Sequence, residues 1–434
     1  MGLSAVADRL LKGVAKKATS AVAADSKQVV QAADKAAEGL AASGRAAGGK
    51  LAGDSLELSS KAVATLAGAA RALPDPPAGA ALDAATAAAA GRMPAPATRT
   101  GEWLTVANHL HTTPYSPDAN EPEADLIQRL EKAGVDGMIL TDHNSMGGTL
   151  TPEWQAAESK LIMTPGMEWG ALRETGMTVQ GHAGLIGLTG TTNIPTNATI
   201  DEMIPFAKAR NAFIVANHPY LDGNAWATRP VLQPEVGGVE VWNGQWALSD
   251  PISHNAQALS WWDSMLKQGR HLTAVGGSDF HGDWWTKFPR LPGSSPVKPV
   301  DLLFASEHSP EGVKQAIADG HVSVESSDTA AKIVLEADPK HDGSWSAIQG
   351  DDINVAQDGT IPMRAHVLGG KGLTVEFYGK AGQVGSYPVM TDDAYVPYSA
   401  VGVPNVKDYV RAELKQHPGQ WWSMTALTNP IYVN

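Results

Sequence analysis

Nine side chains of metal-ligating type recur in short clusters along the middle of the chain. His109 and His111 lie in Asn108-His109-Leu110-His111-Thr112, Asp118 follows, and His143 lies in Thr141-Asp142-His143-Asn144. Glu168 lies in Gly166-Met167-Glu168-Trp169 and His182 in Gly181-His182-Ala183-Gly184. His218 lies in Asn217-His218-Pro219, and Asp279 and His281 close the series in Gly277-Ser278-Asp279-Phe280-His281. The His-x-His pair follows the apolar run Trp103-Leu104-Thr105-Val106-Ala107. Residues i and i+2 share a face at the end of a strand, so both rings can reach one ion. The chain has no Cys, which excludes disulfides, thiolate metal sites and Cys nucleophiles. Any metal must sit on imidazole and carboxylate, a donor set that suits Mn, Zn or Fe. The chemistry to expect is metal-dependent hydrolysis.

These residues need a frame that brings distant segments to one place. Between Gly101 and about Asp328, apolar strand-like runs alternate with helical stretches. Strands are expected at Thr105–His109, Gly137–Thr141, Leu161–Met163, His182–Leu188, Phe213–Ala216, Gly238–Trp242, Leu272–Val275, Val300–Ala305 and His321–Ser323. Helices are expected at Glu123–Ala133 (stopped by Gly134), Pro152–Lys160, Ile200–Arg210, Ile252–Gln268 and Pro310–Asp319. Such alternation implies parallel strands in a barrel or an open sheet. Each candidate ligand follows a strand or closes a short loop after one, where barrels gather functional side chains. His254, His271, His308, His321, His341, His366 and His417 read as structural or surface residues.

The ends of the chain have a different texture. Residues 1–98 are Ala-rich, lack aromatics and read as small-residue amphipathic helices ended by Pro74-Asp75-Pro76-Pro77, with Met93-Pro94-Ala95-Pro96 as linker. This arm is expected to be a helix-prone, partly disordered extension; the alternative is a segment that binds a membrane surface or a partner, or directs export. Residues 329–434 alternate like half-buried strands at Lys332–Glu336, Ile361–Val367 and Leu373–Tyr378, with more at Trp421–Val433, and read as a small β-rich module. Asp351-Asp352 and Asp392-Asp393 read as turn charges rather than calcium ligands.

Charge is uneven. Residues 1–100 carry 12 Lys+Arg against 8 Asp+Glu, and the remainder 21 against 38. An acidic body argues against a broad nucleic-acid surface, which needs clustered Lys and Arg. No run reaches the ~18 apolar residues of a membrane span, and Asp8, Arg9, Lys12, Lys16 and Lys17 interrupt any signal-peptide core. The expected location is the cytoplasm, with non-classical export as the alternative.

His109-x-His111-Thr112, Thr141-Asp142-His143-Asn144, Gly166-x-Glu168, Asn217-His218-Pro219 and Gly277-Ser278-Asp279-x-His281, in this order, resemble the polymerase-and-histidinol-phosphatase (PHP) superfamily. Glu240-Val241-Trp242-Asn243 and Asn429-Pro430-Ile431-Tyr432-Val433 look like its carbaryl-hydrolase-like (CehA/McbA) branch. Residues 103–330 carry the resemblance strongly, the C-terminal part weakly and residues 1–98 not at all. It implies a distorted (β/α)7 barrel over residues 99–328 that holds two to three divalent ions. His109, His111, Glu168 and Asp279 would hold the first ion. Glu168 would bridge to a second on His182 and His218, and Asp118, His143 and His281 would hold a third. Asp279, His218 and Glu168 would act in catalysis, with a hydroxide formed from water between two ions as nucleophile and Asp279 able to accept the proton that the water gives up. Asp142 would orient a ligand by hydrogen bond.

Two hydrolase readings share this centre. A phosphoesterase is favoured by the superfamily resemblance and by Arg173, Arg229, Lys287 and Arg290, cations near the ligand segments. A carboxylic or carbamate ester hydrolase is favoured by the branch resemblance and by Trp226, Trp242, Trp246, Trp284 and Trp285 in flanking segments. A non-catalytic, metal-binding interaction protein is a third reading, opposed by the complete ligand set. No Walker-type Gly-x-x-x-x-Gly-Lys-Ser/Thr or convincing Gly-x-Ser-x-Gly supports nucleotide-driven or serine-hydrolase chemistry.

Overall fold

The structure, a computed structural model, describes residues 92–96, 98–172, 178–226, 232–287, 293–354, 359–401 and 407–434. The expectations for residues 1–91, for Arg173, Arg229 and Arg290, and for the side chain of Trp285 lie outside these residues. The described residues belong to one unit, Asp83–Asn434. Among the described residues, no helix is long and apolar enough to cross a membrane.

The fold is mixed α/β and built on a large curled sheet. Seven strands follow one another in space: β1 (Glu102–Leu110), β2 (Gly137–Leu140), β3 (Ile162–Leu172), β4 (Thr178–Ile186), β5 (Phe213–Asn217), β6 (Val236–Asn243) and β7 (Thr273–Gly277). β1, β2 and β3 are mutually parallel, as are β5, β6 and β7, but β4 runs antiparallel to both of its neighbours. The strict alternation of strand and helix therefore lapses at β4. The sheet curls until the segment after β7 reaches the end of β1. There Ser278 N donates to Asn108 O at 3.0 Å and His111 N to Phe280 O at 2.9 Å.

Local rules explain the helices. In α1 (Glu123–Ala133), Leu126, Ile127 and Leu130 are buried, Glu123 and Asp125 lie at the positive end of the helix dipole, and Lys132 lies in the last turn. Gly134 closes it at φ 74°, donating to the carbonyls of Leu130 and Glu131. α2 (Pro152–Ala157) is capped by the Thr151 side chain, and α3 (Ile200–Lys208) by a Thr199/Glu202 capping box. The single helix expected over Ile252–Gln268 is instead two, α4 (Trp246–Ser253) and α5 (Asn255–Lys267), divided at His254 with φ 53°. α6 (Asp283–Thr286) follows β7. Met167, Trp169, Trp226, Val239, Trp242, Trp262 and Ala274 share one buried cluster, which gathers residues of the β3–β7 side of the ring.

β8 (Val300–Ala305) pairs antiparallel with β1, and β9 (Val322–Glu325), reached through α7 (Pro310–Ala318), pairs with β8. The sheet then continues into C-terminal strands. β17 (Asp408–Lys415), β18 (Met424–Thr428) and β19 (Ile431–Val433) extend it, and β18 pairs with β9. β14 (Thr374–Gly379) adds to β17 and carries β15 (Gly382–Pro388), while β12 (Asp352–Ile353) pairs with β19. A second sheet holds β11 (Ala347–Ile348), β10 (Lys332–Ala337), β13 (Thr360–Leu368) and β16 (Asp393–Val401), in that order. Ile333, Leu335, Met363, Ala365, Val375, Phe377, Ala412 and Leu414 from both sheets form one apolar cluster, so the two pack as a sandwich.

Glu325 of β9 is fully buried. Burial pushes its carboxyl up to about 8, although Lys332 Nζ at 3.8 Å pulls the other way. The folded chain thus holds a proton that the unfolded chain releases near 4.5. Stability falls as pH rises from about 5 to 8, by up to ~1.4 kcal/mol per unit, and the dependence ends above the folded value. Glu325→Gln is expected to remove this slope and to gain on the wild type steadily over that window in urea unfolding. Parallel pH curves for the two proteins would refute the assignment.

Candidate metal centre

Strands and the loops beyond them deliver the nine candidate ligands to one place. His109 and His111 come from the end of β1, His143 from just after β2, Glu168 from β3, His182 from β4, His218 from just after β5, and Asp279 and His281 from just after β7. Asp118 lies in the loop after β1. The two β1 histidines do not reach the site by simple strand alternation. His109 has φ 61° and the register shifts between Ala107 and Leu110, so a bulge turns its ring inward. His218 (φ 23°) and Asp279 (φ 56°) also have positive φ, as does Asn144 at 53°. Such backbone costs about 1–3 kcal/mol per residue and persists where surrounding structure holds it.

Glu168, fully buried, is the hub. Its Oε1 lies 3.0 Å from His109 Nε2 and 3.1 Å from both His182 Nδ1 and His218 Nε2. Its Oε2 lies 3.1 Å from His143 Nδ1 and 3.5 Å from His111 Nε2. Asp279 Oδ1 stands 3.4 Å from both His109 Nε2 and His111 Nε2. Asp118 Oδ2 reaches His143 Nε2 at 3.3 Å and His281 Nε2 at 3.5 Å. Four ligand groupings result: His111/His143/His281, His109/Glu168/His218, His109/His111/Asp279 and His143/Glu168/His182. His109 thus also stands with Glu168 and His218, beside the pair expected for the second ion.

The residues present fit metal ions. His109 Nε2, His111 Nε2, Glu168 Oε2 and His182 Nδ1 are buried without a hydrogen-bond partner, an expensive arrangement for an apolar interior. Ligands each ~2.1 Å from one ion stand about 3.0–3.4 Å apart, close to the separations observed.

Electrostatics point the same way. Burial alone would raise the Glu168 carboxyl, but His182 and His109 hold it well below the usual carboxylate range. Asp279 is likewise held low against its burial by His109, His111 and His281. Burial drives His111 well below its ordinary value, and the neighbouring His281 and His143 add to the effect. His281 is pushed up to about 9, because Asp118 and Asp279 outweigh its burial. Against their burial, the carboxylates also hold His109, His143 and His218 above their ordinary values, so the pocket draws positive charge, which protons supply on these rings when no cation is bound.

Beside Asp142, several residues to which sequence reasoning assigned no role at the site orient this centre. Ser116 Oγ lies 3.0 Å from His111 Nδ1, accepts from His143 N at 3.1 Å and donates to Asp142 Oδ1 at 2.9 Å. Asp142 also accepts from Thr112 N at 2.7 Å, so it acts on the ligands through Ser116 and the β1 backbone. Asn217 Nδ2 donates to Glu168 Oε1 at 3.0 Å, and Glu240 Oε1 lies 2.8 Å from His109 Nδ1. A buried carboxylate in the apolar run Val239-Glu240-Val241 was the available signal for the last. Of the aromatic candidates, Trp226, Trp242 and Trp246 are buried in the core, while Trp284 is half exposed. Lys287 is exposed just beyond α6.

No protein-family model matches the chain. A protein of Methanocaldococcus jannaschii described as uncharacterized is 26% identical over 145 residues, covering 31% of this chain and 79% of that protein. Two solved structures are similar to parts of the chain. A two-domain protein from Bacteroides vulgatus, described as containing a predicted PHP-like metal-dependent phosphoesterase, is 15% identical over 79% of this chain and 99% of its own, with TM-score 0.43. An amidohydrolase from Chromobacterium violaceum is 14% identical over 41% of this chain and 87% of its own, with TM-score 0.31.

Proposed function

We propose that the protein is a PHP-type metal-dependent hydrolase, of the carbaryl-hydrolase-like branch, that cleaves phosphoesters of small molecules. The observation that carries this reading is the buried Glu168 carboxylate facing five imidazoles, with ligand atoms that have no other partner. His109, His111, Glu168 and Asp279 would hold one divalent ion, Glu168, His182 and His218 a second, and Asp118, His143 and His281 a third. Bound there, such ions lower the pKa of water and neutralise charge that builds on substrate oxygens.

The residues supply the rest. Glu168 keeps the imidazoles of β1, β4 and β5 converged, and His218 Nε2, 3.1 Å from Glu168 Oε1, fixes that carboxylate from the β5 side. Asp279 Oδ1, between His109 and His111, is the oxygen set to take a proton from an attacking water. Burial of the tryptophans Trp226, Trp242 and Trp246 withdraws much of the support for an apolar ester pocket.

The test is elemental analysis of the purified protein beside Mn- or Zn-supplemented hydrolysis of p-nitrophenyl phosphate, bis-p-nitrophenyl phosphate and p-nitrophenyl acetate. The expected result is roughly two to three divalent ions per chain and phosphoester cleavage that a chelator abolishes. Cleavage of acetate alone would move the assignment to carboxylic or carbamate esters. Absence of bound metal after supplementation would overturn it.

A further inference from the structure

Six of the seven ring strands, or the loops directly beyond them, supply the nine candidate ligands; β6 supplies none. What β6 brings instead is Glu240, a carboxylate only 1% exposed. Its Oε1 lies 2.8 Å from His109 Nδ1, and its Oε2 accepts from His218 N at 2.6 Å. One side chain therefore grips two ligand-bearing residues from different strands, both with positive φ. The rest of β6 supports that grip. Asn243 Nδ2 donates to Glu240 Oε2 at 3.3 Å and lies 3.4 Å from Asp279 Oδ2. Asn243 is itself fixed by α5, since its N–H donates to Asn255 Oδ1 at 2.9 Å and its carbonyl accepts from Asn255 Nδ2 at 3.1 Å. Room for the carboxylate comes from Gly277 on β7, where a Cβ would stand 1.8 Å from Glu240 Oε1.

We propose that Glu240 is a positioning residue that sets the tautomer of His109 and holds the backbone turn of His218, so that both imidazoles present their Nε2 atoms to Glu168 Oε1, the carboxylate oxygen between the first and second metal sites. A carboxylate can only accept from His109 Nδ1, so a proton stays there and Nε2, beside Glu168 and Asp279, is the nitrogen left to give its lone pair to an ion. Its second oxygen meets the buried His218 amide, which the turn after β5 takes out of the ladder. Glu240 thus joins β1 to β5 beneath the candidate site without touching an ion.

This inference rests on the metal-hydrolase reading, and its test separates the two. The measurement is competition between the full-length protein and a chromogenic chelator for Zn and Co, with the visible spectrum of bound Co as a reporter of ligand geometry. Glu240→Gln keeps the shape but has one acceptor oxygen for two donors. The expected result is a ~10–100-fold loss of affinity at the two sites that share Glu168 with an altered Co spectrum, as for other lost partners of metal-bound histidine. The site on Asp118, His143 and His281 should keep wild-type affinity, and the metal-free protein should keep wild-type circular dichroism. A purely structural role would weaken all sites together with the fold and leave no site-selective change. If Glu240→Gln does not fold, Glu240→Asp, charged but one methylene short of spanning both donors, is read by the same measurements. Wild-type affinity and spectrum in the folded variant, or uniform loss at every site, would overturn the proposal while leaving the metal reading intact. Absence of metal binding by the wild type would overturn both.

Discussion

Glu168→Gln is expected to remove metal binding and hydrolysis together while leaving the protein folded. Both Glu168 oxygens are engaged, one by His109, His182 and His218 and the other by His143 and His111. The substitution changes the volume little but replaces a bridging anion with an amide whose nitrogen cannot accept. Losing a partner one step away from a metal typically costs ~10–100-fold, so losing the shared carboxylate should cost roughly 10²-fold or more in activity. It should also reduce the metal content found by elemental analysis. Removing the Glu168 charge also removes the attraction that opposes desolvation at His109, so that imidazole becomes easier to deprotonate in the variant. Circular dichroism separates loss of the site from loss of the fold. A folded variant that retains wild-type metal content and turnover would sink the assignment of Glu168 as the hub.

How far the site could be read from the sequence follows from where its residues lie. The nine ligand candidates were visible because each is a histidine or carboxylate beside an apolar run or in the short loop after one, and strands and the loops beyond them are where such side chains can converge. Glu240, Ser116 and Asn217 were harder to see. Each is an ordinary residue within a strand or turn, and its role exists only once β6, the loop after β1, and β5 stand beside the ligands. The bulge at His109 was also hidden, because simple alternation already placed His109 and His111 on one face and gave no reason to ask for a positive φ.

The C-terminal strands show the same limit. β16 is an edge strand interrupted by Pro397, tolerated because it pairs on one side only. β17, Asp408–Lys415, places Arg411, Glu413 and Lys415 on a single face, which by composition reads as solvated. All three are buried, because they satisfy one another. Local pattern can announce a strand but not the partner that lets it bury charge.

That buried charge gives the largest stability effect to expect. Arg411 is 1% exposed and forms a forked pair with Asp263 of α5, Nε to Oδ1 at 2.8 Å and Nη2 to Oδ2 at 2.9 Å. Its Nη1 donates to Glu413 Oε1 at 2.7 Å, and its guanidinium lies over the rings of Tyr378 and Trp262. Lys415 bridges Glu413 at 2.7 Å and Glu376 at 2.8 Å. Arg411→Met would leave Asp263 without its guanidinium partner and Glu413 and Glu376 facing Lys415 alone. Breaking such a pair by removing one partner costs about 3–5 kcal/mol, and the partial exposure of Asp263 places this case near the lower figure. The expected result is a loss of about 3 kcal/mol in urea unfolding, with metal stoichiometry unchanged in the folded protein. Adding Asp263→Leu should recover part of the loss, since a pair replaced on both sides by apolar groups is often neutral. Strict additivity of the two substitutions would show that Arg411 and Asp263 do not act as a unit. Non-additivity would locate in that pair the joint between the C-terminal strands and α5, the helix whose Asn255 fixes Asn243 beside Glu240.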